Sequence, residues 1–279
     1  MTKTAALALL LAAAPAAAEV RYATFTSPSL NKDVPYVVQL PPSYATSGAR
    51  RYPVLYALHG LFESPGFWER RGLAQMLESL WQNGVPEMVV VAADGDNSFL
   101  VDGPAGRWEQ MMSRDFVAHV ESTYRVTPGR AGRAALGVSM GGYAALRMAL
   151  AHPDLFRAVA THSAMLLEKI PTAEEGAGRW QMAAFSKVFG DPIDTALWAA
   201  NDPLALALKA DPKTTPALYF DCGTEDRYGL FAGNRELHKR LEARGVAHEF
   251  GLYPGDHGYE YVRTVLDKSL RFLGRQFDR

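Results

Sequence analysis

Residues 133–146 read RAALGVSMGGYAAL, and this stretch decides how the rest of the chain is interpreted. The apolar run that ends at Val138 is typical of a buried strand, and the alanine-rich segment from Gly142 onward is typical of a helix. Between them lies a G-x-S-x-G sequence centred on Ser139. A sharp turn from strand to helix exposes such a serine hydroxyl, and the positive end of the helix dipole faces the place where negative charge develops. We therefore predict that Ser139 is a nucleophile.

On both sides of this turn, short apolar segments alternate with segments in which apolar residues recur at helical spacing. Strands are predicted at residues 54–58, 88–92, 133–138, 158–161, 217–220 and 248–253, and helices at 67–81, 114–124, 142–151, 231–244 and 259–272. Continuous apolar strands separated by helices indicate a parallel, doubly wound α/β sheet that is covered on both faces. Residues 20–40 come before this alternation and predict an antiparallel opening hairpin.

Residues 164–213 do not fit the alternation of strands and helices. They carry four large aromatic residues, Trp180, Phe185, Phe189 and Trp198. Insertions that follow the carboxyl ends of strands in an open α/β sheet lie over the ligand crevice, so a small lid is predicted here. The alternative is a surface excursion whose aromatic side chains pack against one another.

A serine hydroxyl needs a base to accept its proton, and after an elbow of this kind the acid and then the base follow in chain order. The histidines beyond Ser139 stand at positions 152, 162, 238, 248 and 257. His257 lies in the loop 254–258 after the last predicted strand, from which an imidazole reaches the elbow, so it is predicted as the base. His162 ends a strand, and position alone does not separate it from that role.

The acid is expected in the loop after the strand 217–220, which reads DCGTED from Asp221 to Asp226. Asp226 lies past the glycine turn and is predicted to orient the base. Asp221 is expected to bond local backbone at the strand end, and Glu225 is expected to face solvent.

Two backbone N–H groups are needed for the oxyanion that forms during acyl transfer. Met140 directly follows the serine, and Leu61 lies in the loop HGLF after an earlier strand, so these two amides are the predicted donors. An apolar substrate pocket is predicted from four aromatic residues, although each of them singly also fits core or lid packing: Phe62, Trp68, Trp108 and Trp180.

With these motifs in place, the chain resembles a family that includes esterase D (S-formylglutathione hydrolase), tributyrin esterases, feruloyl esterases, enterochelin esterases and the mycolyltransferases of the antigen 85 type. The resemblance rests on Leu58-His59-Gly60, the segment around Trp68, Arg114-Asp115, the elbow, and the loops that end at Asp226 and His257. It implies the α/β-hydrolase fold and carboxylic ester hydrolysis through an acyl-enzyme without a cofactor. It also implies that Asp226 is the acid and His257 the base.

The N-terminus predicts export from the cytosol. Residues 1–18 combine Lys3, an apolar run and three alanines before Glu19, which is typical of a secretory signal cleaved near Ala18. The run is too short for a membrane anchor. Residues 19–279 are predicted to form one catalytic domain. An exported protein would not meet S-formylglutathione, which belongs with cytosolic glutathione.

The composition of the chain limits the kinds of partner and ligand that are expected to bind. The formal net charge is -1 without a basic cluster, which argues against a nucleic-acid partner. No spacing of histidines and carboxylates predicts a metal site. Cys222 is the single cysteine, so no intramolecular disulfide forms.

Three functions therefore fit the sequence. The first is an exported carboxylesterase that acts on short-chain acyl, acetyl-sugar or feruloyl-type esters. The second is an acyltransferase that passes the acyl group to an alcohol instead of water. The third is a non-catalytic module that binds glycan or a protein partner, which would not require the serine, acid, base and elbow glycines together.

Overall fold

The computed structural model describes residues 18–170 and 179–278. For residues 179–181 it describes the backbone alone. The predicted export signal falls on residues 1–18, almost all of which lie outside the described residues. The strands are, in chain order, β1 (Glu19–Ser27), β2 (Lys32–Leu40), β3 (Val54–Leu58), β4 (Val89–Ala93), β5 (Asp102–Gly103), β6 (Gly106–Arg107), β7 (Arg133–Val138), β8 (Ala158–His162), β9 (Ala217–Gly223) and β10 (His248–Tyr253).

The helices surround these strands. They are, in chain order, α1 (Phe67–Arg70), α2 (Leu73–Gln82), α3 (Trp108–Gln110), α4 (Val117–Thr123), α5 (Met140–Ala151), α6 (Arg179–Phe189), α7 (Thr195–Asn201), α8 (Pro203–Ala207), α9 (Phe231–Ala243) and α10 (Tyr259–Phe277). A π-helical turn, Met111–Phe116, joins α3 to α4, and a 3₁₀ turn, Arg130–Gly132, precedes β7. Within the described residues, no helix combines the length and the apolar character that a membrane span requires.

Eight of the strands form one mixed sheet in the order β1-β2-β4-β3-β7-β8-β9-β10. The pairs β1–β2 and β2–β4 are antiparallel, and all pairs from β4 to β10 are parallel. This is the α/β-hydrolase fold that the sequence predicted, with the opening hairpin on one edge. Because β4, β3, β7, β8, β9 and β10 are parallel, the loops that follow their carboxyl ends meet along one edge of the sheet.

Two hydrophobic cores lie on the two faces of the sheet. Alternate residues of β3 belong to different cores, with Val54 and Tyr56 on one face and Leu55 and Ala57 on the other. The first core packs α5 and α9 against the sheet, and the second packs α2 and α10. Burial on both faces explains why these strands read as continuous apolar runs instead of alternating ones.

The insertion 164–213 contains α6, α7 and α8. Its described aromatic residues pack together: the ring of Phe185 lies 5.3 Å from that of Trp198, and Phe189 lies 4.9 Å from Trp198. Phe99, which follows β4, extends this cluster at 5.1 Å from Phe185. The aromatic side chains of the described part thus fill the first core, and a lid function for this insertion stays a prediction.

A buried ionic network anchors α5, the helix that follows Ser139. Arg147 on α5 is 2% exposed; its guanidinium donates to Glu109 Oε2 at 2.5 Å, to the Leu100 carbonyl at 2.7 Å and to Asn201 Oδ1 at 3.0 Å. Glu109 also pairs with His152 at the far end of the same helix. The network joins α3, α5 and α7, so it holds the insertion against the elbow helix.

We expect Glu109→Gln to lower the free energy of unfolding by about 3 kcal/mol at pH 7, because it leaves a buried guanidinium without its counter-ion. Burial acts to raise the pKa of Glu109, but the hydrogen bond from His152 and the charge of Arg147 outweigh it and lower the pKa to about 2. A carboxylate with a lowered pKa stabilises the fold above its unfolded value of 4.5 and loses this contribution as the pH falls toward the folded value.

Urea unfolding across pH measures this effect. The stability difference between wild type and Glu109→Gln should be complete at pH 7 and should shrink between about pH 4.5 and pH 2. Asp267→Asn, which breaks an exposed i,i+4 pair with Arg271, is the matched control and should change stability by less than about 1 kcal/mol. A difference for Glu109→Gln that did not vary with pH would contradict the account of the network.

Candidate active site

Ser139 lies at the junction of β7 and α5 in a strained backbone conformation, with φ 54° and ψ -116°. A non-glycine residue in such a region costs about 1–3 kcal/mol, so the surrounding structure has to hold it. The Ser139 amide donates to the His162 carbonyl at 3.0 Å, and the Ser139 carbonyl accepts the amides of Tyr143 and Met165 at 2.9 and 3.0 Å. These three bonds fix the turn that presents the hydroxyl to a cavity.

The glycines of the elbow are required by close approach of backbone. A Cβ on Gly137 would overlap the carbonyl of Gly141, and a Cβ on Gly141 would overlap the carbonyl of Leu58 at the end of β3. Only glycine allows α5 to begin this close to β3 and β7, which is the physical meaning of the G-x-S-x-G pattern.

His257 and Asp226 form a hydrogen-bonded pair beside the serine. Nδ1 of His257 lies 2.8 Å from Oδ2 of Asp226. Because a carboxylate only accepts, Nδ1 carries the proton and Nε2 is left as the acceptor. Asp226 is buried and also accepts the amide of Tyr228 through Oδ1 at 3.0 Å. His257 and Ser139 line the same cavity, so the structure brings together the three residues predicted as nucleophile, acid and base.

The loops that carry Asp226 and His257 are joined to each other. They follow the parallel neighbours β9 and β10, and the Glu225 amide donates to the Gly255 carbonyl at 2.9 Å. Oδ1 of Asp256 accepts the amide of Arg227 at 2.8 Å and the amide of His257 at 2.6 Å. The side chain of Arg227 bonds the same carboxylate and holds the pKa of Asp256 below its usual range. Asp256 therefore ties the two loops together, a role that the sequence analysis missed although it stands next to the base.

A second pair of histidine and carboxylate lies between the sheet and α10. The register of β8 and β9 places His162 opposite Asp221, and Nδ1 of His162 lies 2.9 Å from Asp221 Oδ2. Nε2 of His162 lies 2.9 Å from Ser269 Oγ on α10, and all three side chains are fully buried. Tyr261 donates to Asp221 at 2.7 Å. The structure corrects the expectation that the Asp221 side chain bonds local backbone, and it encloses His162 away from the cavity.

The two predicted oxyanion donors lie next to Ser139. Met140 is the first residue of α5, a position at which a helix amide has no acceptor within its own helix. Leu61 lines the cavity, and its neighbour Gly60 is so close to the elbow that a Cβ there would lie 3.7 Å from the Cβ of Ser139. Their role in binding an oxyanion stays a prediction.

The cavity at Ser139 has a volume of about 440 Å³. Aromatic side chains supply much of its wall, namely Phe62, Phe67, Tyr228 and Tyr259. Phe62 thus lies where the sequence analysis expected it, 67% exposed at the mouth of the cavity. Met165 also lines the cavity and is the one residue of the insertion, among its described side chains, to do so.

The prediction that Trp68 and Trp108 line the substrate pocket is wrong. Trp68 is buried in the second core and donates from Nε1 to the Leu58 carbonyl at 3.2 Å. Trp108 is buried in the first core, donates to the Ala105 carbonyl at 2.9 Å and lies under the ammonium group of Lys32. A buried indole whose N–H is satisfied by a backbone carbonyl is a packing residue, and neither ring lines the cavity. The side chain of Trp180 lies outside the described residues.

Two further residue types bear on the chemistry of the site. Within residues 18–170 and 179–278, no three residues of the types His, Cys, Asp and Glu are grouped so that they could hold a metal ion. Cys222 is buried next to Asp226, with Sγ 3.6 Å from Asp226 Oδ2. Burial and the nearby carboxylate raise the pKa of this thiol, so it acts as a weak donor to Asp226 and not as a thiolate nucleophile.

Known structures share this architecture. A ferulic acid esterase is 29% identical and superposes with a TM-score of 0.78 over 94% of this chain and 99% of that chain. An S-formylglutathione hydrolase from Agrobacterium tumefaciens is 18% identical, with a TM-score of 0.76 over 93% of this chain and 96% of that chain, a likeness that shows the fold.

Curated sequences give a consistent result. Esterase MT1326 of Mycobacterium tuberculosis (strain CDC 1551 / Oshkosh) is 28% identical over 253 residues, which are 82% of this chain and 54% of that protein. The diacylglycerol acyltransferase/mycolyltransferase Ag85A of Mycobacterium leprae (strain TN) is 30% identical over 203 residues, 66% of this chain and 56% of that protein. The chain thus spans a little over half the length of these two relatives.

The family described as "Esterase: Putative esterase" matches residues 27–273, from the last residue of β1 into α10. This match includes the elbow, both loops of the acid and base, and the loop of Leu61. The chain therefore belongs to the putative esterase family.

Proposed function

We propose that this protein is an exported serine carboxylesterase that hydrolyses carboxylic esters through an acyl-enzyme on Ser139. The observation that carries the proposal is that His257, whose Nδ1 lies 2.8 Å from Oδ2 of Asp226, lines the same cavity as the strained Ser139. A base in the correct tautomer and an exposed hydroxyl are what nucleophilic attack on an ester requires.

The reaction follows from these positions. Ser139 Oγ attacks the ester carbonyl carbon while its proton passes to Nε2 of His257, and the resulting oxyanion accepts hydrogen bonds from the amides of Met140 and Leu61. Collapse of this intermediate breaks the bond to the alcohol, which leaves with the proton from His257. Water then attacks the acyl-enzyme by the same steps and releases the acid. Asp226 keeps its charge throughout and stabilises the imidazolium that forms twice in the cycle.

The substrate class is proposed from the cavity wall and the relatives. Aromatic rings of Phe62, Phe67 and Tyr259 suit an apolar or aromatic acyl group, and a ferulic acid esterase is similar over 94% of the chain. We propose short-chain acyl, acetyl-sugar or feruloyl-type esters. The ligand is then a small-molecule or carbohydrate ester, and neither a cofactor nor a nucleic acid is needed.

A substrate panel tests this proposal. Turnover should be measured with p-nitrophenyl esters of increasing chain length, with methyl ferulate and with acetylated xylan. We expect hydrolysis of at least the short-chain esters, with kcat/KM falling once the acyl chain exceeds what a cavity of about 440 Å³ can enclose. Absence of turnover on every ester, with folded protein, would refute the proposal.

Acyl transfer is the second candidate, because one of the matched relatives is a mycolyltransferase. It uses the same acyl-enzyme but delivers the acyl group to an alcohol instead of water. Product analysis with and without a sugar acceptor separates the two: a hydrolase yields free acid in both, whereas a transferase yields a new sugar ester when the acceptor is present.

Export is proposed from the signal-like residues 1–18. In support, β1 begins at Glu19, the residue directly after the expected cleavage near Ala18. N-terminal sequencing of protein recovered from outside the cytoplasm should begin at or near Glu19.

A further inference from the structure

We propose that Asn97 is a positioning residue of the oxyanion hole, which fixes the loop that presents the Leu61 amide. The inference rests on the proposed function, because it concerns the same reaction. It starts from the backbone on the two sides of Leu61, where Phe62 is bonded to one other loop directly and Gly60 is bonded to His59, which that loop holds in turn. That loop, residues 94–100, follows β4 and is called the clamp loop below.

On the N-terminal side, the peptide group between Gly60 and Leu61 is held by His59. The Gly95 amide donates to Nε2 of His59 at 3.0 Å, so the ring proton is on Nδ1, which lies 2.8 Å from the Gly60 carbonyl. In a trans peptide the C=O and the next N–H point in opposite directions. Because His59 holds the Gly60 oxygen, the Leu61 N–H is directed the other way.

On the C-terminal side, the clamp loop acts directly. The Phe62 amide donates to Oδ1 of Asn97 at 2.7 Å. Phe62 has φ 62°, a conformation that an aromatic residue rarely adopts and that needs support from its surroundings. The bond to Asn97 supplies that support at the residue directly after Leu61.

The clamp loop is itself fixed in place. Ser98 Oγ donates to the Gly95 carbonyl at 2.5 Å and accepts the Leu100 amide at 3.1 Å, and the Val101 amide donates to the Ser98 carbonyl at 3.1 Å. Ser98, Phe99 and Leu100 are buried. Asn97 therefore projects from a rigid support, through which both neighbours of Leu61 are held.

Loss of the Asn97 side chain should weaken stabilisation of the transition state. A donor stabilises the oxyanion only if it already points at the position where charge develops, so misdirection of the Leu61 amide should lower kcat. Asn97 is not among the residues that line the cavity. Loss of its side chain acts on substrate binding only through Phe62, so KM should change less than kcat.

The test compares Asn97→Ala with two matched variants. For Asn97→Ala we expect kcat with p-nitrophenyl acetate to fall about 10- to 100-fold, less than the 10²- to 10³-fold that follows loss of a donor outright. Affinity for a trifluoromethyl ketone, which forms a tetrahedral adduct with the serine, should fall in parallel. Exchange of the Phe62 amide with solvent, followed by NMR, should become about 10-fold faster. Asn97→Asp keeps an acceptor oxygen and should retain most of kcat.

Asp96→Asn is the control within the same loop, because it weakens the exposed pair with Lys187 but keeps an acceptor oxygen for the Asn97 amide, and it should behave as wild type. Wild-type kcat in Asn97→Ala, a loss confined to KM, or an equal loss in Asp96→Asn would each overturn the proposal. If Asn97→Ala does not fold, Asn97→Ser, whose side chain is too short to reach the Phe62 amide, takes its place. A wild-type protein without esterase activity would refute the proposed function, and exchange of the Phe62 amide would still decide whether Asn97 holds this loop.

Discussion

Ser139→Ala is expected to lower kcat for ester hydrolysis by about 10⁶-fold, the scale observed when the nucleophile of a catalytic triad is removed. The variant loses one oxygen atom and keeps the backbone bonds of the elbow, since these involve the amide and carbonyl of residue 139 and not its hydroxyl. The thermal midpoint should therefore stay close to that of wild type. Single-turnover kinetics with p-nitrophenyl acetate measure the loss.

Ser163→Ala is the matched control for this experiment. Ser163 lines the same cavity, is 1% exposed and also has a positive φ of 43°. It is bonded through its hydroxyl to Cys222 and not to a base. Its replacement should reduce kcat far less than that of Ser139. Comparable losses in the two variants would mean that the assignment of the nucleophile is wrong.

Asp226→Asn should lower kcat by about 10⁴-fold and leave the fold intact. The amide can donate to Nδ1 of His257, which favours the tautomer with the proton on Nε2, and this tautomer cannot accept the proton of Ser139. This loss of kcat is expected from the wrong tautomer of His257 and not from unfolding. To separate the two causes, kcat and the urea midpoint of unfolding should be measured on the same preparation.

Glu225→Gln is the control for the acid, because Glu225 is in the same loop but is exposed. It should retain normal turnover. Normal turnover in Asp226→Asn would instead contradict the assignment, since Asp221, near the end of β9, is enclosed with His162 and Tyr261 between the sheet and α10.

The central strands were predictable because they are buried on both faces. The observed bounds of β3, β7 and β10 are those predicted from apolar runs and their flanking turns. β9 extends three residues further than predicted, because Asp221, Cys222 and Gly223 continue the parallel ladder opposite Gly251, Leu252 and Tyr253. Pairing with a neighbouring strand is not visible in a local pattern.

The candidate site was predictable to the extent that its residues follow strands in a known chain order. Ser139, Asp226 and His257 each come after a parallel strand, and the sheet brings their loops together. Asn97 and Asp256 were missed because their roles are hydrogen bonds to backbone of another loop. His162 and Asp221 illustrate the same limit, since only the register of β8 and β9 shows that they pair with each other.

Which aromatic side chains line the cavity and which are buried in a core could not be predicted from the sequence. Phe62, Trp68 and Trp108 share the same apolar character, yet only Phe62 lines the cavity. The difference lies in what covers each ring and which carbonyl accepts each indole N–H, and both depend on elements distant in sequence. For the same reason the insertion 164–213 could be recognised as an irregular segment but not assigned to a particular surface.

The most direct test of the whole account is the site of reaction with a fluorophosphonate. Such a probe bonds covalently to a serine whose hydroxyl is activated by a base, and peptide mass spectrometry locates the adduct. We expect a single adduct on Ser139 in folded wild-type protein and none after His257→Ala. An adduct on Ser163 or any other serine, or the absence of labelling in folded protein, would contradict the claim that Ser139, His257 and Asp226 act as one catalytic unit.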